Sequence, residues 1–296
     1  MDGEICRLPE VRISPWDQGF LFGTSLFTTF PIDGEGRIPF WLDHQKRLIS
    51  AATAWNFPIP KTFLLFREDR ERRKTLIELL RKNDLSEGAV GRYRLSPGEV
   101  GPGLPGKANF PNPREILDVR PLPRTKSAVS LVVLSHRRNS SEEIHRSKNG
   151  SYLNTWLAHR ELANQANENP LEGLMLDHQG NLAEGTVSNL FWTRSEKLET
   201  PSLSTGCLPG LTRAWVRNFC QTNKIPYAEG QWPLEHLLQK DLDSLFVTNC
   251  VQGLVPVQQI LDNQGSILRS FPNQQPNRLF QKLSANYQKS HQLTAS

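Results

Sequence analysis

The sequence predicts a mixed α/β (α+β) fold in two domains. Three observations predict it. The length, 296 residues, exceeds that of one ordinary domain. Segments of two-residue alternation are interleaved with segments of helical spacing. A stretch rich in Pro and Gly, GPGLPGKANFPNPREILDVRPLPRTK, interrupts both patterns and cannot form one long regular element. The expected division is a small N-terminal α/β domain over residues 1–118, a linker over 119–126 and a larger C-terminal domain over 127–296.

The elements follow in order. In WLDHQKRLISAATAW, Leu42, Leu48, Ala51, Ala52 and Trp55 can share one helical face, and a second helix is expected from Thr62 to Asn83. Val90–Leu95 alternates as a strand, and one further strand is expected before the linker. SAVSLVVLS (Ser127–Ser135) and DSLFVTN (Asp243–Asn249) are strands by the same pattern, and Thr186–Trp192 has the composition of a buried one. Helices are expected over TWLAHRELANQAN and TRAWVRNFCQTN. The tail after Gly265 is polar and Gln-rich, with order expected to fade from about Ser290.

Composition narrows the function classes. A net charge of +5 suits anionic small molecules. The basic residues are scattered rather than clustered, which argues against nucleic acid. Cys6, Cys207, Cys220 and Cys250 form no CxxC pair, and the seven histidines have no HExxH spacing, so neither a disulfide framework nor a metal site is expected. No run approaches the ~18 apolar residues that span a bilayer, and the N-terminus has no apolar core of a signal peptide. The expectation is a cytoplasmic protein without membrane contact. GPGLPG, Gly101–Gly106, formally fits GxGxxG, but its prolines prevent a dinucleotide-binding turn from leading into a helix.

The chemistry is concentrated in EGTVSNLFWTRSEKLETPSLSTGCLPGLTR, Glu184–Arg213, and in SKNGSYL, which holds Lys148. Alone, Lys148 would be an ordinary solvated lysine and Glu184 a turn carboxylate. Together, an acidic residue, Ser188-Asn189-Leu190-Phe191, an aliphatic-x-Thr and Leu-Pro-Gly-Leu-Thr-Arg resemble the signature of class IV aminotransferases and their lyase relatives. The resemblance implies a fold type IV enzyme whose larger domain carries a pseudo-barrel sheet, and it implies pyridoxal 5′-phosphate as cofactor. Lys148 then stands where the lysine that holds the cofactor aldehyde belongs, and Glu184 where a carboxylate pairs with the ring nitrogen. Gly210 and the amides of Leu211 and Thr212 open a helix, whose N-terminus favours a phosphate. The same resemblance adds Arg47, Asn249 and Cys250 to the phosphate and Tyr152 to the phenolic oxygen. Cys250 stands where relatives usually have a small hydroxyl residue, and Ser151 where they have asparagine.

Substrate choice rests on DQGFLFGTSLFTTFPIDGEG. Gly23, Phe27, Thr28 and Thr29 resemble the opening of 4-amino-4-deoxychorismate lyases, whereas branched-chain aminotransferases have an acidic triplet there. Two hydroxyls, Thr28 and Thr29, suit an oxygen-rich ring and are candidates, with Lys148, for proton transfer. Arg92 is the candidate for a substrate carboxylate, with Arg94 at the same strand parity. Phe30-Pro31 departs from the pattern, in which relatives usually continue Leu-Arg or Ala-Arg, and proline removes a ladder donor. The resemblance implies a lyase acting on a small anionic substrate, with a branched-chain or D-amino-acid aminotransferase as the alternative. A cofactor-binding protein without turnover is a third reading, suggested by Pro31, Ser151 and Cys250. A homodimer is implied as well.

Overall fold

A computed structural model describes residues 1–56, 59, 68–104, 110–140, 146–165, 170–271 and 277–293. The chain forms two compact units, Met1–Pro123 with Lys148–Tyr152 and His291–Ser296, and Arg124–Ser147 with Leu153–Ser290.

The first unit is built on a three-stranded antiparallel sheet in the order β1 (Leu26–Asp33), β2 (Gly88–Ser96), β3 (Arg114–Arg120). A short helix, α1 (Gln18–Phe22), precedes it. Alternation along β1 turns Leu26, Thr28, Phe30 and Ile32 to one face, where all four are buried. The helices α2 (Trp41–Ala54) and α3 (Asp69–Arg81) cover that face and close a core that includes Trp41, Leu48, Leu76 and Leu80. The buried stripe of α2 is Trp41, His44, Leu48 and Ala52, and Leu42, expected on it, is exposed. Leu42 sits about 100° around the helix from Trp41, outside a stripe that recurs every three to four residues. The expected helix start at 62–67 and the end of the GxGxxG match, residues 105 and 106, lie outside the described residues.

Lys148–Tyr152 belongs to this first unit, although the division expected at 119–126 puts it in the C-terminal domain. The reason is backbone pairing: Phe27 N–H donates to the Lys148 carbonyl at 2.9 Å, and Gly150 N–H to the Ser25 carbonyl at 2.7 Å. The open edge of β1 is thereby extended by a short segment carrying the lysine. The same geometry explains Pro31. Phe27 N–H points away from β2, so Thr29 and Pro31, two and four residues on, direct their nitrogens the same way. Pro31 therefore removes no donor from the β1–β2 ladder.

The second unit holds a nine-stranded mixed sheet: β6 (Leu182–Gly185), β5 (Leu171–Leu176), β4 (Val129–Val133), β11 (Gly253–Leu261), β10 (Ser244–Asn249), β7 (Asn189–Arg194), β8 (Lys197–Pro201) and β9 (Tyr227–Gly230), with β12 (Ile267–Ser270) paired to β11. β4 is parallel to both its neighbours. From β6 to β7 a flat sheet would extend roughly 24 Å. Yet Leu182, Leu174, Val129, Val257, Leu245 and Trp192, one from each successive strand, share a single buried cluster. The sheet is therefore curled around its own side chains. Helix α4 (Leu153–Ala163) packs on its outer face beside Val132 and Met175. α5 (Leu211–Thr222) and the final helix, α7 (Arg278–Leu293), pack there beside Phe191 and Phe246. A one-turn helix, α6 (Glu235–Leu238), lies between β9 and β10.

Two expectations change here. The strand expected at Thr186–Trp192 begins at Asn189, because Thr186–Ser188 turn around a buried carboxylate described below. The tail is helical through Ser290, where order was expected to fade, while residues 294–296 lie outside the described residues. Phe280, Leu283 and Tyr287 give α7 its buried stripe among Gln and Asn residues that obscure the periodicity.

Candidate active site

In the first unit, candidate residues gather on the face of β1 opposite its core. Phe27 is the centre. Lys148 Nζ lies 4.7 Å from its ring centroid, the Arg92 guanidinium carbon 5.5 Å, and the Tyr152 ring meets it edge-on at 5.6 Å. Thr29 is directly opposite Arg92 in the β1–β2 ladder, and cross-strand partners share a face. Gly23 ends α1 with φ +68°, and a side chain there would press on the Ser151 backbone 3.2 Å from its Cβ. Glycine thus allows the turn into β1 to pack against the lysine segment.

The two arginines of β2 differ. Arg94 donates to Asp118 at 2.6 Å, whereas the buried Nε of Arg92 has no hydrogen-bond partner among the described residues. A buried guanidinium donor without a partner is suited to an anion that arrives from outside the protein.

The threonine pair is divided by the strand itself. Adjacent strand residues point to opposite faces, so Thr29 shares the Phe27 face and Thr28 faces the core. Thr28 is fully buried, accepts a hydrogen bond from Arg47, and contacts His44 Nδ1 at 2.6 Å. Burial, and then the positive charges of Arg47, Lys148 and His291, hold the His44 ring well below its ordinary range. It is neutral near pH 7, so Thr28 donates its proton to Nδ1 while accepting from Arg47, and the ring proton is assigned to Nε2. His44, absent from the residues expected from sequence, thus fixes the hydroxyl that fixes Arg47. Its signal was its place three residues before Arg47 on a buried stripe.

In the second unit the signature residues are tied to one another. Glu184, buried in β6, pairs with Arg138 Nε at 3.1 Å and Arg146 at 3.2 Å, and accepts the Leu208 amide at 2.9 Å. The Asn189 side chain donates to the Leu208 carbonyl at 2.8 Å. A Cβ on Gly210 would lie 2.1 Å from Asn189 Oδ1, so the glycine is required by that packing and not by its φ of −68°. Ser188, Thr186 and the Val187 amide all donate to Glu172. The aliphatic-x-Thr element contributes Thr200, whose hydroxyl donates to the Leu190 carbonyl at 2.7 Å. The fixed residues of the signature therefore hold the Leu208–Gly210 turn against Glu184. Arg138 and Arg146 were not expected from sequence, since isolated arginines ahead of the lysine carry no pattern.

That turn leads into α5. Gly210 caps the helix without a side chain, and helix geometry leaves the first amides, including those of Leu211 and Thr212, without intrahelical acceptors. The Thr212 hydroxyl is 3.8 Å from Cys250 Sγ and 3.2 Å from Tyr287 Oη. Asn249 Oδ1 accepts the amides of Val251 and Gln252, at 2.9 and 2.8 Å, which fixes the turn holding Cys250. Unpaired amides, a hydroxyl and a helix dipole form a donor set for an anion such as a phosphate.

The family model "Amino-transferase class IV" matches residues 25–260, and the aminodeoxychorismate lyase of Bacillus subtilis (strain 168) is 33% identical over 276 residues, covering 90% of this chain and 88% of the relative. The chain belongs to the class IV aminotransferase family. The fold agrees: the 4-amino-4-deoxychorismate lyase of Pseudomonas aeruginosa superposes with a TM-score of 0.75 at 24% identity, covering 97% of each chain. The branched-chain amino acid aminotransferase of T.th., solved with pyridoxamine 5′-phosphate, superposes with a TM-score of 0.74 at 21% identity, covering 97% of this chain and 91% of that one. The small antiparallel sheet and the curled sheet are those of fold type IV, and the fold is common to lyase and aminotransferase. The chain is a class IV pyridoxal-phosphate enzyme. Taken by itself, the first unit offers an amine, Lys148, and the second an ion-paired buried carboxylate, Glu184, and a helix N-terminus, groups whose chemistry fits that cofactor. No three His, Cys, Asp or Glu residues are grouped to hold a metal among the described residues, and no helix there is long and apolar enough to cross a membrane.

Proposed function

We propose that this enzyme is a 4-amino-4-deoxychorismate lyase, forming 4-aminobenzoate and pyruvate for folate synthesis, and that it works as a homodimer. The observation that carries the reading is the Phe27 face, where an amine, a guanidinium with a partnerless buried Nε and a threonine hydroxyl stand together without a carboxylate on the neighbouring β1 positions. A dicarboxylate substrate with oxygen substituents matches those groups better than an aliphatic amino acid does. The identity to a lyase relative supports the same choice.

Pyridoxal phosphate, when bound, supplies an electron sink for the charge left at the substrate carbon. Lys148 would hold its aldehyde, Glu184 would pair with its ring nitrogen and Tyr152 with its phenolic oxygen. Arg47, Leu211, Thr212, Asn249 and Cys250 would hold its phosphate, Cys250 through its backbone amide. Arg92 binds a substrate carboxylate through its guanidinium. Once the substrate amine has taken its place, the freed Lys148 Nζ removes the proton from the amine-bearing ring carbon, and the carbon–oxygen bond to the enolpyruvyl group breaks as the ring becomes aromatic. Enolpyruvate then gains a proton from Lys148 or Thr29, the one hydroxyl of the pair on this face. Thr28 acts one step removed, by orienting Arg47.

The test is to incubate the purified enzyme with 4-amino-4-deoxychorismate and no 2-oxo acid, then assay 4-aminobenzoate and pyruvate. Equal amounts of both are expected. Absence of both, with glutamate formed from leucine or alanine and 2-oxoglutarate, would establish the aminotransferase instead.

A further inference from the structure

The final helix reaches the anion-binding turn through one side chain. Tyr287, on α7, is 4% exposed and places its hydroxyl 3.2 Å from that of Thr212, in the first turn of α5. Its ring is held on two sides, edge-on to Trp215 at 5.1 Å and against Gly253, where a Cβ would come within 3.2 Å of it. The rotamer is therefore fixed by packing, and the hydroxyl is delivered to one place.

Each hydroxyl has one proton to donate. Burial is the largest influence on the Tyr287 phenol and raises its pKa, so it stays protonated throughout the ordinary pH range. With Tyr287 donating to Thr212, the Thr212 proton is directed elsewhere. Its present acceptor is Cys250 Sγ at 3.8 Å, a weak partner that a phosphate oxygen would replace with gain.

We propose that Tyr287 is a positioning residue for cofactor binding: it donates to Thr212 and so turns the Thr212 hydroxyl into a dedicated donor for the phosphate. The proposal rests on the assignment of Thr212 to the cofactor phosphate. It gives α7 a function besides covering the curled sheet. It also gives Cys250 a role, that of a poor acceptor which yields Thr212 to a better one.

The test compares the full-length enzyme with Tyr287→Phe, which keeps the ring and removes the donor. Dissociation constants are measured by absorption for pyridoxal 5′-phosphate and for pyridoxal, which lacks the phosphate. Tyr287→Phe is expected to weaken pyridoxal 5′-phosphate by ~5- to 20-fold, the range for one charge-assisted hydrogen bond made less well, and to leave pyridoxal unchanged. Thr212→Val should weaken the phosphate form at least as much, Thr212→Ser should restore most of it, and adding Tyr287→Phe to Thr212→Val should change nothing further. Tight binding of pyridoxal 5′-phosphate that Tyr287→Phe leaves unaltered overturns the proposal alone. Equal weakening of both ligands also overturns it, because that is the outcome of a merely structural tyrosine. A wild-type enzyme that binds neither ligand overturns the cofactor assignment together with the proposal.

Discussion

Arg92 and Arg94 stand two residues apart on one face of β2, and their partners separate their roles. Arg94 is neutralised by Asp118, while Arg92 leans over Phe27 with an unsatisfied Nε. Replacing Arg92 with Leu should lower kcat/KM for the lyase reaction by about 50-fold, the loss of one charge-assisted contact of roughly 2–3 kcal/mol. The absorption spectrum of the bound cofactor should be unaltered. Steady-state kinetics and a spectrum of the variant check both parts, and an unchanged kcat/KM would remove Arg92 from the substrate site. Sequence parity could place the two arginines together but could not rank them, since Asp118 comes from a strand more than twenty residues later.

Among the elements, the turn Leu208–Gly210 shows why the signature spans so many residues. Its parts lie on β6, β7, β8 and the start of α5, and each forms a hydrogen bond or a close contact with another. Gly210→Ala should force Asn189 aside, break its bond to Leu208 and misplace the first amides of α5. A stability loss of about 1–3 kcal/mol is expected from the overpacking, with a clear loss of cofactor affinity. Urea unfolding and cofactor titration measure the two effects, and wild-type values in both would contradict the packing account. Glu184 and the LPGLTR turn were legible in the sequence because they lie within one continuous motif, whereas Lys148, isolated upstream of it, was legible only through the family resemblance. The period-2 rule alone could have separated Thr28 from Thr29. His44, Arg138, Arg146 and Tyr287 were not legible: each acts through a partner brought near by the fold. α7 escaped notice for a related reason, its three buried residues being spread through a polar run.

For the whole molecule, a buried histidine, His44, and a half-buried one, His291, tie stability to pH. His44 and His291 both have pKa values lowered by burial, His44 the more strongly. In the unfolded chain each would titrate near 6.5, so below that pH the unfolded state binds more protons than the folded one. Stability should therefore be fully present above about pH 6.5 and decline as the pH falls, by up to roughly 1.4 kcal/mol per pH unit for each histidine that stays neutral in the fold. Urea melts at pH 7.5 and 5.5 test this, and His44→Gln should flatten the slope. A stability that rose on acidification would contradict the buried neutral state. The broader claim, that this class IV pyridoxal-phosphate enzyme holds its cofactor on a single lysine, depends most on Lys148. Incubation with pyridoxal 5′-phosphate, reduction with borohydride and peptide mass mapping test it directly. A phosphopyridoxyl group is expected on Lys148 and on no other lysine; a label elsewhere, or a reduced adduct that persists in Lys148→Ala, would contradict it.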